Sequence, residues 1–163
     1  MTGPDDRLAR ACRLLDGREY RAAIEFCSVL ISEDPASPDA YFLRAQAHKG
    51  ATDREAALAD AARAIELEPN DPAMYFLRGL WLVAWGHYAS GREDLALVVA
   101  LESASGSARH LGVAKLTLAV ASFLLQDFAA ALAAIDGLDD ALVVYIARRR
   151  WTPASLRAEI ARQ

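Results

Sequence analysis

The chain has 163 residues, 54% of them hydrophobic, with 18 basic and 22 acidic side chains and a formal charge of −4. That length is enough for one domain with a continuous core, and the apolar content argues against disorder over most of it. An acidic balance argues against nucleic acid as the main partner, because phosphate binding needs a basic surface.

The amino terminus is polar and acidic, with none of the basic and apolar regions of a secretory signal. The longest nearly uncharged stretches, residues 79–91 and 116–126, are too short to span a bilayer and read as buried helices. A cytoplasmic location without membrane attachment is expected. Ala and Leu dominate, while only 9 Gly and 6 Pro occur, which favours helix throughout. Cys12 and Cys27 read as small hydrophobes in a reducing compartment, with a disulfide or a reactive thiol as the other reading.

In chain order, helices are expected at about 5–16, 20–33, 38–50, 53–67, 72–85, 89–102, 107–125, 127–137, 139–150 and 153–162. Several boundaries have local causes. Ser37-Pro38, Asp71-Pro72 and Thr152-Pro153 each pair an N-cap side chain with a proline at the first helical position. Thr52 and Glu55 have the spacing of a capping box. No strand is expected.

An internal repeat organises these helices. Residues 31–45 match residues 65–79 at an offset of 34, with Ile31, Pro35, Pro38, Tyr41, Phe42, Leu43 and Arg44 recurring as Ile65, Pro69, Pro72, Tyr75, Phe76, Leu77 and Arg78. Small residues recur where two helices would cross, at Ala11, Ala45 and Gly79, and again twelve residues on at Ala23, Ala57 and Gly91. Larger apolar residues follow one and two turns later, as on a helix packed along one face. A more degenerate hairpin follows, in which Phe128 and Ala131 match Tyr88 and Gly91 at an offset of 40, so about six residues are inserted at the third junction.

The pattern resembles the tetratricopeptide repeat (TPR): 34 residues, small residues at the helix crossing, an aromatic residue early in the first helix of each unit (Tyr41, Tyr75) and a proline closing the second (Pro35, Pro69). The resemblance implies an all-α, right-handed superhelical stack of antiparallel helical hairpins. Three units are expected at about residues 4–37, 38–71 and 72–105, followed by the degenerate hairpin at 107–138. C-terminal capping helices at 139–163 would complete a single domain spanning 1–163. Residues 1–140 carry a net −8, whereas residues 141–163 hold five Arg and one Glu, net +4, so the last segment is a cap or a basic docking site for an acidic partner.

No pattern of catalytic chemistry stands out. The chain lacks a P-loop, a Gly-x-Ser-x-Gly elbow and a His-Glu-x-x-His zinc motif. His48 is expected as a packed core residue, His87 and His110 as solvated residues in a turn and a junction, and no catalytic, cofactor or metal site is expected.

The resemblance further implies a concave groove lined by the first helix of each unit, where a protein or peptide binds. Its residues here are Leu8, Phe42, Leu43, Gln46, Phe76, Leu77, Leu80 and Val83, with Asp5, Asp16, Asp39 and Lys49 at its edges. One subset of the family grips acidic chaperone tails through five cationic and amide side chains. Those positions are Leu8, Cys12, Leu43, Ala73 and Leu77 here, none of which pairs with a carboxylate. The groove is therefore apolar, and a partner segment, a second copy or the chain's own last helices could cover it.

The implied function is that of an adaptor or scaffold module rather than an enzyme. The alternative is a small dedicated chaperone of the kind that holds type III secretion translocators, although this chain enters its first repeat by residue 5, without the additional helical segment such chaperones carry.

Overall fold

The computed structural model describes residues 4–163, with the side chains of Pro4 and Asp5 outside the description; the groove-edge position of Asp5 thus lies outside the described residues. The described residues form two compact units, one ending at Met74 and the other running from Tyr75 to Gln163. The first holds α1 (Pro4–Asp16), α2 (Tyr20–Glu33), α3 (Pro38–Gly50) and α4 (Arg54–Leu67). Helix α5 (Pro72–Ala84) contains the boundary. The second unit continues with α6 (Tyr88–Ser105), α7 (Leu111–Leu124), α8 (Phe128–Ile135), β1 (Val144–Ile146), β2 (Arg149–Trp151) and α9 (Pro153–Ile160). The fold is all-α in class, built from helical hairpins.

Each hairpin turn has the same backbone solution. The N–H three residues beyond the helix end donates to a carbonyl in its last turn: Glu19 to Leu14, Asp53 to His48, His87 to Leu82 and Asp127 to Ser122, at 2.8–2.9 Å. The residue preceding each donor has positive φ: Arg18 (58°), Thr52 (66°), Gly86 (91°) and Gln126 (62°). This is the Schellman closure, which satisfies carbonyls that the helix end would otherwise leave unpaired. The spacing of 34, 34 and 40 residues reproduces the sequence repeat and its insertion. The inserted residues lengthen α6, which has 18 residues against 14 in α2 and α4 and ends on the left-handed Gly106.

The caps expected at Ser37, Asp71 and Thr152 are present. Ser37 accepts from the Ala40 N–H, Asp71 from the Ala73 N–H, and Thr152 forms a reciprocal capping box with Ser155. The box expected at Thr52 is absent. Thr52 occupies the left-handed turn position and its hydroxyl donates to the Ala51 carbonyl, so Asp53 caps α4 by accepting from the Ala56 N–H at 3.1 Å.

The small residues lie at the crossings. In the first unit Ala11, Ala23, Ala45 and Ala57 are fully buried. In the second, a Cβ on Gly79 would come within 2.9 Å of Leu95 Cγ, and one on Gly91 within 2.6 Å of Val83 Cγ2 and 3.0 Å of the Gly79 carbonyl.

A polar clamp repeats with the hairpins. Arg44 donates to both carboxylate oxygens of Asp60 (2.7 and 2.8 Å), joining α3 to α4. Arg78 does the same to Asp94 (2.7 and 2.7 Å), joining α5 to α6. Both carboxylates are buried, which demands such bidentate pairing, and each raises its arginine's affinity for its proton. At the corresponding positions of the first hairpin, Arg10 lies over the Phe26 ring at 4.7 Å. In the fourth, Leu118 and Ala134 take those places, both packed against the core.

Residues 139–150 differ from expectation. Instead of a helix they carry the antiparallel pair β1–β2, with Val144 opposite Trp151, Tyr145 opposite Arg150 and Ile146 opposite Arg149. Val144, Ile146 and Trp151 are buried and join the core of the second unit, and Trp151 packs 5.5 Å from Phe123 of α7. The apolar run fits either period, and a chain that must bury alternate residues against α7 does so as a strand. With α9 packed on α7 and α8, this segment caps the fourth hairpin.

Candidate partner-binding surfaces

In the first unit, Leu8 is half-buried and packs with Leu15 against the cluster of Ala11, Cys27 and Leu43. An open cavity of 170 Å³ lies over Leu8, walled by Leu30 and Ser37 and rimmed by Arg7 and Glu33, which form an ion pair. Phe42 and Gln46 are half-buried on α3. Leu43, by contrast, belongs to the core and is only 9% exposed. It was expected to face a ligand; its position between α1 and α2 commits it to packing instead.

In the second unit Phe76, Leu77 and Leu80 are half-buried on α5. Phe76 and Leu80 lean on the core, and the Phe76 ring lies 4.5 Å from the imidazole of His110. Val83 is 1% exposed and fills the space that the missing side chain of Gly91 leaves in α6. It too is a core residue, which corrects its assignment to the groove. Of the positions expected to line a groove, Leu8, Phe42 and Gln46 in one unit and Phe76, Leu77 and Leu80 in the other remain partly exposed.

His110 is not the solvated junction residue expected. Its backbone N–H and Nδ1 both meet the carboxylate of Glu102, at 3.0 and 2.7 Å, and Glu102 is 1% exposed. This contact ties the end of α6 to the start of α7 across the insertion. Sequence reasoning had no signal for it, since Glu102 merely repeats the acidic position of Asp34 and Glu68, and its partner His110 lies beyond the break in the repeat. His48 is largely buried, 3.7 Å from Asp53 and 3.8 Å from Asp60, as expected of a packed histidine. His87 is exposed at the start of α6.

Among the described residues no group of three or more His, Cys, Asp and Glu converges so as to hold a metal ion. Among them, too, no helix is long and apolar enough to cross a membrane. Both cysteines are free thiols, Cys12 exposed and Cys27 buried, and burial pushes the Cys27 thiol up to about 11.

The hairpins, their left-handed closures and the small crossing residues define a tetratricopeptide-like fold. Solved structures with that fold agree. The crystal structure of MamA superposes with a TM-score of 0.72 at 16% identity, covering 98% of this chain and 81% of that one. The TPR2B domain of yeast Sti1, in a complex with an Hsp70 peptide, gives 0.68 at 20% identity over 74% of this chain and 96% of that one. The Yersinia enterocolitica type III secretion chaperone SycD, in complex with a peptide of the translocator YopD, gives 0.64 at 12% identity, covering 74% and 93%. No protein-family model matches the chain, and no curated protein matches it by sequence.

Proposed function

We propose that this chain is a cytoplasmic protein-interaction adaptor rather than an enzyme, and that it holds a segment of a partner protein on the apolar first-helix faces of its hairpins. The observation that carries the reading is the fate of two aromatic residues one repeat apart. Phe42 and Phe76 recur at an offset of 34 and both remain half-buried, while neighbouring apolar positions Leu43 and Val83 are committed to the core. Large apolar side chains left partly exposed at the same repeat position are surface that a partner can cover. The face carries no cationic clamp, so the segment it takes is apolar rather than an acidic tail. The same fold in domains solved with bound peptides supports this reading.

Covering the exposed part of one phenylalanine contributes about 1 kcal/mol, so each Phe→Ala change is expected to weaken partner binding roughly fivefold. The test replaces Phe42 or Phe76 with a photo-crosslinking phenylalanine analogue in the host cell and identifies the captured polypeptide by mass spectrometry. Its affinity for wild type and for Phe42→Ala and Phe76→Ala is then measured with purified components. Equal affinity for the folded double variant would rule out these faces. A second reading, a small dedicated chaperone, has the SycD likeness in its favour. It predicts that the captured client is degraded or insoluble when this chain is deleted, whereas an adaptor's partner stays soluble.

A further inference from the structure

The β1–β2 hairpin carries a surface that the apolar faces do not use. Its two-residue loop, Ala147 and Arg148, has φ of 53° and 61°. Positive φ at both central residues is the type I′ turn that suits a tight hairpin, but it ordinarily takes Asn-Gly. Two residues with side chains held there in succession are strained, and such strain persists only where the surroundings impose it. Here they do: Val144, Ile146 and Trp151 are buried, and Arg149 lies over the Trp151 ring at 4.2 Å while pairing with Glu159 of α9.

The strand period splits the three consecutive arginines. Arg149 stands opposite Ile146 on the packed face and is neutralised by Glu159, whose carboxyl it holds below the usual glutamate value. Arg150 stands opposite Tyr145 on the other face, and Arg148 sits at the tip. Both are exposed and, among the described residues, meet no carboxylate, while Tyr145 is 74% exposed. Arg78, Arg92, Arg149, Arg157 and Arg162 of the same unit each have an acidic partner, whereas Arg148 and Arg150, like Arg109, have no ion pair among the described residues. A rigidly backed tip thus presents two uncompensated guanidinium groups beside an exposed aromatic ring.

We infer that Tyr145, Arg148 and Arg150 form a docking surface for a short acidic segment of a partner protein. Guanidinium forks match carboxylates, and the tyrosine ring covers the apolar stem of an extended peptide. A chain with net charge −4 opposes polyanions such as nucleic acid or anionic membrane at long range, so two local arginines favour a ligand of few charges. This surface is independent of the Phe42 and Phe76 faces, and either reading can fail without the other.

The test measures anisotropy of a fluorescein-labelled nonapeptide of three Glu-Asp-Leu repeats, with the Gln-Asn-Leu peptide as control. Wild type should bind the acidic peptide and not the amide one, with affinity falling as salt rises from about 0.05 to about 0.3 M. Arg148→Ala/Arg150→Ala should bind about fivefold or more weakly with an unchanged circular dichroism spectrum, and Lys at both positions should recover part of the loss. No binding of the acidic peptide by wild type, equal binding by the double Ala variant, or binding only to a 20-nucleotide single strand or to phosphatidylserine vesicles would overturn the inference. So would self-association in sedimentation that the double Ala variant abolishes, since the occupant would then be a second copy.

Discussion

Replacing Gly91 by alanine tests the closest helix crossing in the second unit. In an ordinary helix interior that change stabilises by roughly 0.5–1 kcal/mol, because glycine loses more backbone entropy on folding. At Gly91 the added Cβ would lie 2.6 Å from Val83 Cγ2 and 3.0 Å from both the Gly79 carbonyl oxygen and the Val83 backbone nitrogen. A methyl can turn aside; backbone cannot, so α5 and α6 must separate. Overpacking of this kind costs about 1–3 kcal/mol, which outweighs the propensity gain and leaves a net loss of about 1–2 kcal/mol. For a chain of this size the thermal midpoint should fall by roughly 2–8 °C. Gly112 supplies the control. It lies in the first turn of α7, and its Cβ would meet only Leu142 Cδ2 at an ordinary 3.6 Å. Gly112→Ala should therefore leave the midpoint unchanged or raise it slightly, by at most about 2 °C. Thermal melts followed at 222 nm, with urea titrations for the free energies, measure both. A rise with Gly91→Ala, or a fall with Gly112→Ala, would refute the crossing geometry.

The Arg78–Asp94 clamp can be tested against the fourth hairpin's apolar version of the same position. Asp94→Ala should cost about 2 kcal/mol in urea denaturation by leaving a half-buried guanidinium unpaired, whereas Arg78→Leu/Asp94→Ala should recover at least half of that loss. The hairpin turn is predicted to be strained at the expense of stability, so Ala147→Asn/Arg148→Gly should raise stability by about 1 kcal/mol, read as a higher midpoint. Cys12 should react with a thiol reagent in the native protein at pH 8, and Cys27 only on unfolding. Because the folded Cys27 value of about 11 exceeds the unfolded one, its contribution to stability is complete below the unfolded value of 9.0 and is lost as pH rises towards 11. Cys27→Ala should flatten that alkaline loss in urea titrations between pH 8 and 11.

The repeat, its insertion and most helix ends were legible in the sequence because they have local causes. Pro38, Pro72 and Pro153 start helices whatever surrounds them, and Ser37, Asp71 and Thr152 cap within three residues. Even the Thr52 misreading is local: two adjacent residues both suit an N-cap, and the left-handed turn took the first. Arg44 and Arg78 were visible as repeated residues, but Asp60 and Asp94 stand sixteen positions away, and only the hairpin brings them into reach. Burial of Leu43 and Val83 likewise depended on which neighbours pack over them, something periodicity along one helix does not carry. The clearest case is residues 144–151. An apolar run followed by three arginines fits a helix or a strand equally, and Ala147-Arg148 lacks the Asn or Gly that marks a tight turn. Packing against α7 decided it, since burying Val144, Ile146 and Trp151 together requires the two-residue period of a hairpin.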